Sequence, residues 1–207
     1  MLKKTIMLVI FAFIMTSMSI GLAADKKTDA EADRKVIASS TKAITANPNN
    51  AGAYVDRGKA YQNINQLELA LADYTWAIKL EPKNAGAYSA RAQIYYDTKR
   101  YGEALADYSS TIELAPQDME AHFRRGVCYY YTDQYELGIG DLEQVTVLQP
   151  QHAGAYLVKG VCYQKLDRKE EAIKAYQSLL ANVPENKQTQ EAITAAKKML
   201  KALGVES

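Results

Sequence analysis

The only thiols and imidazoles in this 207-residue sequence are Cys128, Cys162, His122 and His152, the side chains most often used as nucleophiles, proton shuttles and metal ligands. Cys128 and Cys162 share a periodic column with Ala60 and Ile94, residues that only pack. Equivalent places on neighbouring packed helices lie roughly 8–10 Å apart, beyond the about 7 Å between Cα atoms that a disulfide tolerates. Two buried free thiols are therefore expected. His122 stands in a column otherwise held by Tyr54, Tyr88 and Tyr156, and His152 immediately precedes a helical run, where a capping residue belongs. No further His or Cys completes a metal set. There is no phosphate-binding glycine loop, nucleophile elbow or His-Glu-x-x-His. The reading is of a non-enzyme with no catalytic residue, no metal and no cofactor.

The elements that would position these residues announce themselves through proline. Pro48, Pro82, Pro116, Pro150 and Pro184 recur every 34 residues, a period that marks one supersecondary unit copied along the chain. Four full units follow, 51–84, 85–118, 119–152 and 153–186, within a repeat region 51–186. Each opens after Asn50, Asn84, Asp118 or His152, as a capped helix would. Each first helix should end near Asn65, Lys99, Asp133 or Asp167, three of which tolerate the left-handed backbone of a tight turn. A second helix then runs to the residue before the proline, which disfavours further helix. Small residues mark one column of the first helix (Gly58, Ala92, Gly126, Gly160) and one of the second (Ala70, Ala104, Gly138, Ala172). They allow close approach of facing helices.

Twelve of the fifteen tyrosines fall in the repeat's own columns. In the first unit the pattern reads Tyr54, Gly58, Tyr61, Ala70, Tyr74, Ala77 and Pro82. This resembles the tetratricopeptide repeat family, over residues 51–186 in four in-phase copies. The resemblance implies an all-α fold, a right-handed α-solenoid of helix-turn-helix repeats whose first helices line a concave surface. The third unit departs most: His122 replaces an aromatic, Gly138 an alanine and Leu142 a tyrosine, and Gly140 adds a second helix-weakening residue. Its second helix is expected to be the least stable of the array. The family's carboxylate clamp is not carried over, because Val55, Ala90 and Glu120 occupy its key places.

On the inward columns the third first-helix is apolar beyond what its hairpin needs, with Phe123, Val127, Tyr130 and Tyr131 at helical spacing. Tyr96, Leu157 and Val161 extend the lining, and Lys59, Asn63, Asp97, Gln164 and Lys165 supply a polar rim. Contiguous aromatics of this kind mark partner-binding surfaces, so Tyr96, Phe123, Val127, Tyr130, Tyr131, Leu157 and Val161 are the candidate contacts for a protein or peptide partner. The competing reading packs several of them against a neighbouring helix or under a terminal segment. Burying the patch in a homodimer is an alternative use of it.

A correlation between units points to a structural ion pair. Arg57, Arg91 and Arg125 precede the small first-helix residue where Asp73, Asp107 and Asp141 precede the second-helix aromatic column. The fourth unit changes both together, to Lys159 and Ala175. A guanidinium holds a carboxylate through two parallel hydrogen bonds, which lysine cannot, so an Arg–Asp pair is expected within each of the first three units. Solvated, unpaired charges are the alternative.

The flanks read differently. Residues 1–24 place Lys3 and Lys4 before an uncharged run ending in Gly21-Leu22-Ala23-Ala24, the pattern of a cleaved signal peptide. An uncleaved membrane anchor is the competing reading, which Thr16, Ser17 and Ser19 weaken. Export to the periplasm or outside the cell follows, with membrane attachment only if the segment is retained. Residues 25–50 form a linker and partial-repeat helix, Asp29 to Ala46, with Thr28 and Glu31 as its capping box. Residues 187–207 form a closing helix over Lys187 to Leu203 that groups Ile193, Ala196, Leu200 and Leu203 on one face. With the leader removed, 23 basic residues face 24 acidic ones, and this balance gives no electrostatic case for nucleic acid or anionic lipid.

Overall fold

The computed structural model describes residues 26–205, so the expected signal peptide lies outside the described residues. Ten α-helices and no strand occur among them. They are α1 (Lys26–Ala46), α2 (Ala51–Asn63), α3 (Leu67–Leu80), α4 (Ala85–Asp97), α5 (Tyr101–Leu114), α6 (Met119–Tyr131), α7 (Tyr135–Leu148), α8 (Ala153–Lys165), α9 (Lys169–Asn182) and α10 (Gln190–Ala202). The contacts between them divide the chain into two compact units, one ending at Ala121 and one running from His122 to the C-terminal end, with the junction in the first turn of α6.

Each first helix starts where the capping residue places it. The side chains of Asn50, Asn84, Asp118 and His152 accept the backbone N–H three residues on, at 3.1, 3.0, 3.0 and 3.0 Å. Each ends at a residue with positive φ: 60° at Asn65 and Lys99, 58° at Asp133 and 56° at Asp167. The following amide then reaches back to Tyr61, Tyr95, Tyr129 or Tyr163 at 2.7–2.9 Å, which satisfies a carbonyl the helix end would leave open. Lys99 takes the same left-handed turn as the three Asn and Asp residues, so the repeat geometry overrides its weaker preference.

The small columns are where helices touch. A Cβ on Gly58 would stand 2.9 Å from Tyr74, and on Gly160 2.3 Å from Tyr176; both rings are fully buried. In the third repeat, leucine replaces that tyrosine. There a Cβ on Gly126 would stand 3.0 Å from Leu142, and one on Gly138 3.0 Å from the Gly126 carbonyl. Gly138, a member of the small second-helix column, lets two backbones close over the smaller Leu142.

The three Arg–Asp pairs form as expected. Arg57 donates twice to Asp73 at 2.8 Å, Arg91 to Asp107 at 2.7 and 2.8 Å, and Arg125 to Asp141 at 2.7 and 2.8 Å. All three carboxylates are buried. Arg57 also donates to Thr41 on α1 at 3.1 Å, and Arg91 to Thr75 on α3 at 3.0 Å. Each guanidinium thus joins its own hairpin to the preceding one. Lys159 makes no such pair; it stands 3.9 Å from Glu143.

Two expectations at the flanks need correcting. Helix α1 already begins at Lys26, so Thr28 lies inside it and is not its cap. Helix α10 begins at Gln190, three residues later than expected. The intervening chain turns instead, because the Asn186 side chain accepts from the amides of Gln188 and Thr189 at 2.8 and 3.1 Å and Thr189 Oγ1 donates to the Pro184 carbonyl at 2.6 Å. Ile193, Ala196 and Leu200 are buried as their common face requires, and α10 packs on α8 and α9.

Candidate partner-binding site

Six of the seven candidate residues lie in the second unit, on α6 and α8; Tyr96 lies on α4 in the first. Tyr96 is buried, edge-on to Tyr101 with ring centroids 5.9 Å apart. Val127, Leu157 and Val161 are also buried, at 0%, 1% and 1% exposure. These four are therefore not an open surface, which corrects the wider lining read from the column positions. Ten of the thirteen α8 residues are buried, and α7, α9 and α10 all pack on that helix. A column that points away from its own hairpin is still covered when other parts of the fold close over it.

Phe123, Tyr130 and Tyr131 remain half-exposed. Tyr130 and Tyr131 meet edge-on with centroids 5.3 Å apart, and Tyr135 from the start of α7 lies 6.0 Å from Tyr130. The Tyr135 hydroxyl donates to the Asp133 carboxylate in the turn, which anchors that ring. Phe123 lies 4.5 Å from the His152 ring, and His152 is fixed by its capping bond to Ala155. These rings are pre-positioned by contacts the fold makes anyway. Burial pushes the Tyr130 phenol up to about 12 and raises that of Tyr131, so the cluster stays uncharged near neutrality. Such a cluster offers apolar area and hydroxyl hydrogen bonds, not proton transfer.

The rim is only partly available. Lys165 is exposed, but Gln164 turns inward and accepts the Tyr176 hydroxyl at 2.7 Å. In the first unit, Lys59, Asn63 and Asp97 are exposed; Asn63 donates to Asp33 at 2.9 Å and Asp97 accepts from Gln93 at 2.7 Å.

The two thiols and the His122 imidazole are buried in packing and hydrogen bonding. Cys128 and Cys162 are free and buried, and burial pushes both thiols up to about 12, far from the depressed values of reactive cysteines. His122 is buried with Nδ1 2.9 Å from Asp141 Oδ1, on a carboxylate already holding Arg125. No set of three or more His, Cys, Asp or Glu residues that could hold a metal occurs among the described residues. No helix among them is long and apolar enough to cross a membrane.

Sequence reasoning missed the threonine partners of the arginines, although Thr41 and Thr75 are one repeat length apart and could have been found. Trp76 stands on the outward side of α3. The indole is 48% exposed, stacked on Tyr54 at 6.3 Å, with the Lys79 ammonium 4.5 Å from its centroid.

Capped helix pairs turning at a left-handed residue every 34 positions are matched by one family model, the tetratricopeptide repeat, over residues 55–119 and 123–187. The chain belongs to the tetratricopeptide repeat family. Among solved structures, this tetratricopeptide chain is similar to a crystal structure of MamA, at 20% identity and a TM-score of 0.68, covering 87% of this chain and 98% of that one. A second MamA crystal structure gives 19% and 0.69, over 88% and 92%. A MamA fragment from Desulfovibrio magneticus RS-1 gives 17% and 0.65, over 78% and 96%. At these identities the likeness concerns the fold alone. Comparison with curated proteins finds no significant match.

Proposed function

We propose that this tetratricopeptide chain is a non-enzymatic interaction scaffold acting outside the cytoplasm, gripping a partner's extended or helical segment on α6. Phe123, Tyr130 and Tyr131 make the contact, and the buried Val127, Leu157 and Val161 keep that surface rigid. The observation that carries this is the half-exposed aromatic cluster of Tyr130, Tyr131 and Phe123, held by ring contacts at 4.5–6.0 Å. Rigid aromatic anchors lose little side-chain entropy on binding, and interface hot spots are rich in them. Export is supported by Lys3, Lys4 and the uncharged run to Ala24. An adaptor role in envelope assembly or secretion fits both features.

The test is affinity capture from envelope extracts with the intact chain and with a Phe123→Ala, Tyr130→Ala, Tyr131→Ala variant shown by circular dichroism to stay folded. The intact chain should retain proteins that the variant loses. Recovery of the same set by both would reject the site, and sequencing the mature N-terminus separately tests export.

A further inference from the structure

The outward face of α7 carries a second apolar surface. Leu137, Val147 and Leu148 are 54%, 73% and 37% exposed. With Gly140 and Gln144 they follow the three- and four-residue spacing of a helix seam. The same column positions carry the exposed Leu69 and Trp76 with Ala72 and Lys79 on α3, Glu103 and Glu113 on α5, and Glu171 and Lys174 on α9, so the stripe on α7 differs from that on α3 in lacking a charge.

Gly140 is the telling residue. A glycine inside a helix lowers its stability, and four helical glycines have a packing reason: Gly58, Gly126, Gly138 and Gly160 each stand where a Cβ would meet a neighbour at 3.0 Å or less. A Cβ at Gly140 would meet nothing within 4 Å. Gly102 is equally open, but lies in the first turn of α5. Nothing within the chain requires Gly140, whereas another backbone lying across the stripe would.

Charge selects the visitor. Helix α7 has no basic residue, and the exposed Glu136 and Glu143 follow one edge of the stripe. Lys159 reaches Glu143 only at 3.9 Å. Arg168, the cation in the field of Glu136, is already held by Glu171 at 2.7 Å. A second copy of α7 laid antiparallel would set this acidic edge against its own counterpart, which is unfavourable. We propose that this face docks the amphipathic helix of a partner protein, laid across Gly140, its aliphatic stripe on Leu137, Val147 and Leu148 and a row of Lys or Arg beside Glu136 and Glu143.

The test uses the full chain and a fluorescein-labelled synthetic helix of about six turns, with a leucine stripe and a lysine edge. A twin peptide carries glutamate on that edge, and binding is read by fluorescence anisotropy. The lysine peptide should bind at least tenfold tighter than its twin, with the preference shrinking as salt is raised. Gly140→Leu should raise the melting temperature yet weaken lysine-peptide binding at least tenfold, a combination that general damage cannot produce. The Phe123→Ala, Tyr130→Ala, Tyr131→Ala variant should bind this peptide as the parent does. Equal binding of the two peptides, no saturable binding, or an unchanged affinity in Gly140→Leu would each overturn the proposal. So would loss of binding in the aromatic variant. A dimer seen by sedimentation and dissolved by Gly140→Leu would instead give the face to a second copy.

Discussion

Arg91 shows how one side chain can carry an architectural duty. Its guanidinium donates twice to the buried Asp107 and once to Thr75 in the preceding repeat, and the Asp107 hydrogen bond raises its pKa further. Removing one partner of a buried pair leaves the other charge uncompensated, at a cost of about 3–5 kcal/mol. Arg91→Ala should therefore lose stability on that scale in urea unfolding. Arg91→Lys should fall between, because an ammonium cannot span both carboxylate oxygens and Thr75. A loss below about 1 kcal/mol for alanine would reduce the pair to an ordinary surface ion pair. The pair was legible from Arg and Asp changing together between units. The threonine is visible only in its own column, where Thr41 and Thr75 stand one repeat apart, because its hydrogen bond runs between repeats and not within one.

At the level of elements, hairpin closure depends on small residues opposite buried rings. The contact at Gly160 is the tightest, with Tyr176 Cε1 2.3 Å from where a Cβ would stand. Tyr176 has no room to retreat, since it is fully buried and its hydroxyl is committed to Gln164 at 2.7 Å. Gly160→Ala should destabilise the chain by about 1–3 kcal/mol through overpacking, despite the better helix propensity of alanine. Chemical denaturation measures this, and a stabilised variant would show that α8 and α9 can slide apart. Helix limits were legible because caps, turn residues and prolines act locally. The starts of α1 and α10 were misplaced where the repeat pattern ends and a local motif had to decide alone.

For the molecule as a whole, stability in a stacked array comes from neighbours burying one another's faces. Helix α10 closes the second unit, burying Ile193, Met199 and Leu200. Each large aliphatic side chain contributes roughly 1.5–3 kcal/mol on full burial. Deleting residues 187–207 should therefore lower the melting temperature by about 10 °C or more and increase binding of a hydrophobic dye. A truncated chain that melts like the parent would mean that α10 is an appendage and not a cap.

The sequence by itself determined the repeat, its helix pairs, their caps, the left-handed turns and the Arg–Asp pairs. All of these are set by residues within one repeat length, and recurrence makes them visible. Only the tertiary structure decided which outward residues stay accessible. It buried Tyr96, Val127, Leu157 and Val161, left Phe123, Tyr130 and Tyr131 half-open, exposed Trp76, and left Gly140 bare. Periodicity fixes the direction in which a side chain leaves its helix, but exposure depends on what the rest of the chain brings against that direction.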